Sequence, residues 1–159
     1  MNRKSSQMYA RSNTNPNTRV KAGVGVIIAD REGRILLEQR RDNGMWGLPG
    51  GGVEAGDSLL KAALREVKEE TGLAIRITGL LGIYSDPAQG RIVTYPDNGD
   101  VVQLFDTVLV AEFISGKLTL SNESLRLSYF DPEALPSDIV PPAVKPIQDY
   151  LEKKTDVIA

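Results

Sequence analysis

The chain has 159 residues, 41% of them apolar and 25% charged, the composition of one globular domain able to bury roughly 70% of its unfolded surface. Lys plus Arg number 19 against 21 Asp plus Glu, a net charge of −2. That leaves no basic footprint for a polynucleotide, although a small phosphorylated ligand needs only a few local cations. Cysteine and histidine are both absent, which excludes disulfides, thiolate zinc sites, Cys nucleophiles and His-based triads, so any metal must be held by oxygen, as Mg²⁺, Mn²⁺ or Ca²⁺ are.

Residues 1–19 carry Arg3, Lys4, Arg11 and Arg19, no acid and many Ser and Asn. The charge pattern mimics a transit peptide, but without a hydrophobic stretch residues 1–18 read as a disordered leader. No apolar run approaches the ~20 residues that span a bilayer. The absence of disulfides fits a cytoplasmic location. Order is expected from Arg19, in one domain over 19–159. "VKAGVGVIIAD" reads as a strand, Asp30–Arg34 as a turn and Ile35–Arg40 as a returning strand, together a hairpin. The loop from Asp42 to Gly56 follows, and its stretch "NGMWGLPGGGVEAG" holds six glycines. That density requires positive φ or close backbone approach.

A helix then runs from a cap at Asp57 or Ser58 to a stop at Gly72. Leu60, Ala63, Leu64 and Val67 recur at helical spacing as a core stripe. Glu66, Glu69 and Glu70 occupy the adjoining arc, lining one edge without being buried. Acids three and four apart repel by roughly 0.2–0.5 kcal/mol per pair. Either water absorbs that cost or a cation removes it. A solvated face is the bland account. The cation account gains from the preceding glycine loop, and from Arg65 standing one turn before Glu69. A compact oxygen cluster with a free face suits Mg²⁺, which keeps waters and phosphate oxygens. Downstream, "AIRITGLLGIYS", "KLTL" and "LRLSYF" read as strands, and "RIVTYP" and "VVQLFDTVLVAEFIS" as a hairpin around "PDNGD". "DPEALP" is a short helical turn. "PPAVKPIQDYLEKK" closes the domain as a helix starting near Pro142, which Pro146 delays or kinks. The mixed order of elements indicates α+β or α/β with a mixed sheet.

Gly51 to Leu73, "GGVEAGDSLLKAALREVKEETGL", resembles the Nudix box: Gly, five residues, an acid, seven residues, then Arg-Glu-aliphatic-any-Glu-Glu-any-Gly-aliphatic. Gly51, Arg65, Glu66, Val67, Glu69, Glu70, Gly72 and Leu73 all match in register. One position departs: Asp57 stands where Glu is usual, one methylene shorter in its reach toward Arg65. The resemblance extends from about Arg19 to about Lys154. It implies an α/β/α sandwich with a curved mixed sheet between helices, and hydrolysis of a nucleoside diphosphate linked to another group with Mg²⁺ or Mn²⁺. It also implies Glu66, Glu69, Glu70 and the Gly50 carbonyl as metal ligands. The base is either Glu69 or a loop acid, for which Glu123 stands in place; the alternative for Glu123 is an exposed loop residue. Homodimers are common among such proteins.

Arg40 and Arg41 adjoin the glycine loop, as phosphate contacts or as a surface pair. Trp46 either stacks on a base or plugs the core, the latter being commoner for a lone loop Trp, and Tyr84 and Tyr95 carry the same ambiguity. The segment after the box, with Pro87, resembles ADP-ribose pyrophosphatases. ADP-ribose or a nucleotide sugar is therefore the first substrate, and a (d)NTP in a house-cleaning role the second. A nucleotide-sensing module without catalysis is the rival from another class; such modules lack box acids that this chain keeps.

Overall fold

The computed structural model describes residues 8–9 and 13–159. Most of the leader expected over 1–18 lies outside the described residues. Of its described part, Met8 is buried against Val93 and Val102. Ordered strand begins at Arg19.

Strands β1 (Arg19–Ala29), β2 (Ile35–Arg40), β3 (Trp46–Gly47) and β4 (Gly50–Gly52) precede helix α1 (Leu59–Thr71). Next come β5 (Leu73–Tyr84), β6 (Ile92–Thr94), β7 (Val101–Gly116), β8 (Ser124–Phe130), helix α2 (Pro141–Leu151) and β9 (Val157–Ile158). Among the described residues these nine strands form one mixed sheet in the order β3-β2-β1-β7-β5-β9, with β4 beside β1, β6 beside β7 and β8 beside β2. The expected α+β architecture is the one observed. Alternation along β1 builds the two cores. Val24, Val26 and Ile28 face α1, while Ile27 joins the cluster under α2.

The first hairpin is nearly nominal. β1 and β2 pair only at Ala29↔Ile35. Instead β1 lies parallel to β7 from Arg19↔Val102 to Ala29↔Glu112, and β2 pairs with β8. The reason is burial: Val26, Ile27 and Ile28 are all inaccessible, and a run buried on both faces takes a central, parallel position. "KLTL" is not a strand; Thr119 N–H donates to the Thr71 carbonyl at 2.9 Å, tying the segment to the end of α1. β9 was not expected. It joins β5 in parallel at Gly82↔Val157, where any Cβ on residue 82 would lie 2.4 Å from the Val157 carbonyl oxygen. Helix α2 begins at Pro141 and runs through the buried Pro146.

Helix α1 sits one position round from the expected stripe. Ser58 caps it, its side chain accepting from Lys61 N–H at 3.1 Å, a contact worth ~1 kcal/mol. Ala62, Ala63, Val67, Glu70 and Thr71 are buried, whereas Leu60 and Leu64 are 54% and 44% exposed. The inward face is thus Leu59, Ala62, Ala63, Glu66, Val67 and Glu70. β4 consists of three glycines, and their missing side chains leave room for acids there. The expectation that the carboxylates stay unburied fails for Glu70, which is 6% exposed.

Candidate active site

The glycine strand β4 pairs antiparallel with β1, Gly25↔Gly50 to Gly23↔Gly52. Gly50 has φ 152°, and a Cβ there would sit 2.0 Å from the Val24 carbonyl oxygen. A Cβ on Gly51 would lie 2.5 Å from a carboxylate oxygen of Glu66. Bare backbone therefore forms a cradle directly under the acid edge of α1. Gly50 N–H donates to Glu70 Oε2 at 2.8 Å.

Arg65 is the node of this edge. Its guanidinium donates to Glu66 Oε1 at 2.7 Å and to Asp57 Oδ2 at 3.0 Å. Glu69 Oε2 stands 3.5 Å from Nη1. The shorter Asp57 therefore reaches Arg65, and it also pairs with Lys61 at 2.9 Å. These two donors, Lys61 first, hold the Asp57 carboxyl below the usual range. Glu69 is the outermost of the acids, its side chain 60% exposed against 15% for Glu66.

Glu70 is under the greatest electrostatic stress. Burial, then the neighbouring Glu38, push its pKa up to about 9, opposed by the Gly50 hydrogen bond. Glu38 on β2 is itself 3% exposed and accepts from Ser124 Oγ. Glu38 does not stand out in the sequence; its one signal is its position directly after the apolar Ile35–Leu37 on the same strand.

A cavity of about 630 Å³ joins Glu66, Glu69, Glu70 and Glu123 to Arg40 and Lys21. Among the described residues no three acids stand as a ready cation cage, because Glu66 is turned onto Arg65 and Glu69 outward. The donor set nonetheless fits a divalent ion: all-oxygen, beside a backbone cradle, with a buried acid that lacks a full counter-charge. Glu66, Glu69, Glu70 and the Gly50 carbonyl are the groups that could hold it.

The two arginines part company. Arg40 lines the cavity, paired to Asp42 through two contacts at 3.0 and 2.7 Å. Arg41 is not among the cavity's lining residues and holds the Glu123 loop. Its backbone N–H donates to the Glu123 carbonyl at 2.8 Å, and its side chain to the carbonyls of Asn122 at 2.8 Å and Ser124 at 3.3 Å. Trp46 is a packing residue, edge-on to Phe130 at 4.8 Å. Tyr84 is buried and donates to Asp149 at 3.1 Å. Tyr95 lines the cavity, as do Tyr9 and Asp106, which the sequence reading did not single out. Burial pushes the Tyr9 phenol up to about 12. Lys21 was also missed, though "KAGVG" places it on one strand face with Gly23 and Gly25.

The NUDIX domain family model matches residues 19–150. An ADP-ribose pyrophosphatase of Methanocaldococcus jannaschii is 34% identical over 130 residues, covering 80% of this chain and 71% of that protein. A putative 8-oxo-dGTP diphosphatase of Bacillus subtilis is 30% identical over 135 residues, covering 85% and 83%. Among solved structures, a MutT NUDIX hydrolase from Burkholderia pseudomallei superposes with TM-score 0.67 at 27% identity, covering 82% of this chain and 97% of that one. With the box residues gathered at one cavity and the family model spanning nearly the whole described domain, the chain belongs to the Nudix hydrolases and is a pyrophosphohydrolase.

Proposed function

We propose that the chain hydrolyses a nucleoside diphosphate linked to a second group, with ADP-ribose or a nucleotide sugar as substrate and Mg²⁺ or Mn²⁺ as the ion. The observation that carries this reading is one cavity running from the acid edge of α1 across Lys21 to a partly apolar far wall. Such a cavity suits a substrate with charge at one end and a ring at the other. For ADP-ribose, water adds across the pyrophosphate to give AMP and ribose 5-phosphate.

Glu66, Glu69 and Glu70 on α1 and the Gly50 carbonyl on the adjacent β4 would hold the ion. Bound there, a divalent ion would supply charge neutralisation at the phosphate oxygens and a more acidic attacking water. Arg65, anchored by Asp57, holds Glu66 at the Gly51 cradle. Glu69, the most exposed of the three, or Glu123 on its loop takes the proton from water. Lys21 and Arg40 offer cations to the phosphates. The chain acts on small nucleotides, as a homodimer or a monomer. Among the described residues no helix is long and apolar enough to cross a membrane. We retain a (d)NTP as the second substrate, on the near full-length match to the Bacillus subtilis relative.

A phosphatase-coupled screen with Mg²⁺ and Mn²⁺ tests the reading on ADP-ribose, nucleotide sugars, NADH, dinucleoside polyphosphates and (d)NTPs. Turnover of a linked diphosphate above the (d)NTPs supports the first substrate class. A preference for one (d)NTP replaces it with the second.

A further inference from the structure

Beside the cavity a serine is buried where the chain also offers a leucine. Strand β8 pairs with β2 as Glu38↔Leu127 and Gln39↔Arg126, then slips by one residue, so that Arg40 faces Ser124. Such a bulge re-aims the side chains around it. Regular alternation would continue Leu127 and Tyr129, which pack against the α1 core, with Leu125. Instead Ser124 is 1% exposed and Leu125 39%. Burial alone favours the opposite arrangement, and a local violation of that kind is expected where function requires it.

The buried hydroxyl is committed to an acid. Ser124 Oγ donates to Glu38 Oε1, and among the described residues it is the one hydrogen-bond donor to that buried carboxylate. A hydroxyl carries a single proton. With that of Ser124 given to Glu38, Ser121 is the donor in the 3.0 Å contact between the Ser121 and Ser124 hydroxyls. Ser121 Oγ in turn accepts from Glu123 N–H at 3.2 Å. Every bond therefore has a fixed direction: Glu123 N–H to Ser121, Ser121 to Ser124, Ser124 to Glu38. The series ends on a carboxylate, which only accepts. Ser121 and Glu123 line the cavity, while Glu38 is anchored in β2 between Leu36 of the α1 core and Arg40. Glu38 also helps to push the Glu70 carboxyl up, so one buried side chain adjoins both the acid edge and the Glu123 loop.

Building on the linked-diphosphate reading, we propose that Glu38 is a positioning residue, holding Glu123 at the cavity through Ser124 and Ser121 so that Glu123 takes the proton from the attacking water.

Four variants of the full chain test this: Glu38→Met, which removes the acceptor at similar volume, Glu38→Gln, which keeps one, Ser121→Ala and Ser121→Thr. Exchange of the Glu123 amide proton, followed by NMR in metal-free protein, should accelerate roughly tenfold or more in Glu38→Met and Ser121→Ala and stay within about threefold of wild type in the other two. With ADP-ribose and saturating Mg²⁺, Glu38→Met and Ser121→Ala should lose about tenfold in kcat at a KM within about twofold of wild type, and lose nothing further in a Glu123→Gln background. Glu38→Met should do so without melting earlier, since an apolar group in place of a buried charge is often neutral or stabilising. Unchanged exchange in both Glu38→Met and Ser121→Ala overturns the proposal, as do fully additive losses with Glu123→Gln, or a Glu123→Gln enzyme at wild-type kcat. Should Glu38→Met fail to fold, Ser121→Ala and its threonine rescue decide. The expected exchange pattern without turnover of any linked diphosphate would defeat the reaction reading and leave the hold on the loop standing; turnover with unchanged exchange would do the reverse.

Discussion

The two ends of the cavity are assembled by different kinds of proximity. The acid end comes from a short run of chain, Gly50 to Gly72, in which a glycine strand and one helix fold back on each other. The other side draws Asp106 and Pro142, joined through the buried Arg91, from β7, α2 and the residue before β6. The local end carries the acids proposed to act on phosphorus, whereas the dispersed end is held by contacts between a strand, a loop and a helix far apart in the chain. Chemistry shared by a whole family can reside in a contiguous segment. Specificity is free to be rebuilt from strands and loops elsewhere on the same frame.

The largest expected effect tests the acid end. Glu69→Gln should lower kcat by at least ~10³-fold with an unchanged melting temperature, because the side chain is mostly exposed. Activity within tenfold of wild type would remove Glu69 from the chemistry. Arg41→Ala should cost roughly fivefold to tenfold in kcat by loosening the Glu123 loop. In a Glu123→Gln background it should cost nothing further, and full additivity would break the link between the two residues.

A pH series distinguishes the buried acid from its exposed neighbours. The folded Glu70 pKa is raised from 4.5 to about 9, so between those values the unfolded chain has released a proton that the folded chain retains. Folded-state stability is therefore complete below about 4.5 and declines as pH rises toward 9. Metal-free protein should melt higher at pH 5 than at pH 8. Glu70→Gln should flatten that slope and a divalent ion should raise the melting temperature at pH 8. A flat wild-type profile would contradict the assigned stress. The smallest effect concerns how α1 is turned. Leu64→Lys should change stability by less than about 0.5 kcal/mol in a denaturant titration, since Leu64 faces solvent; a loss above 2 kcal/mol would restore the stripe read from periodicity.

The acid end was legible because its constraints are local. Glycine density, the Ser58 and Gly72 caps and the spacing of Arg65, Glu66, Glu69 and Glu70 all act within one or two turns. The rotation of α1 was not legible, since Leu60 and Leu64 fit a core stripe as well as Leu59 and Ala62 do. Only the side-chain-free surface of β4 decides between them. The same limit hid Glu38, whose neighbours Glu70 and Ser124 lie far along the chain, and Asp106, which acquires meaning only when Gly23 and Arg91 are beside it. Pro146 read as a disturbance of a helix; in the fold it frees the carbonyl that anchors Arg91.

Binding of Mn²⁺ followed by its electron paramagnetic resonance, in wild type and in Glu66→Gln and Glu70→Gln, tests the acid end most directly. Wild type is expected to take up Mn²⁺ with quenching of the free-ion signal, and both variants to weaken uptake tenfold or more while remaining folded by circular dichroism. Undiminished binding in both variants would place the ion elsewhere and contradict the central assignment of this edge of α1.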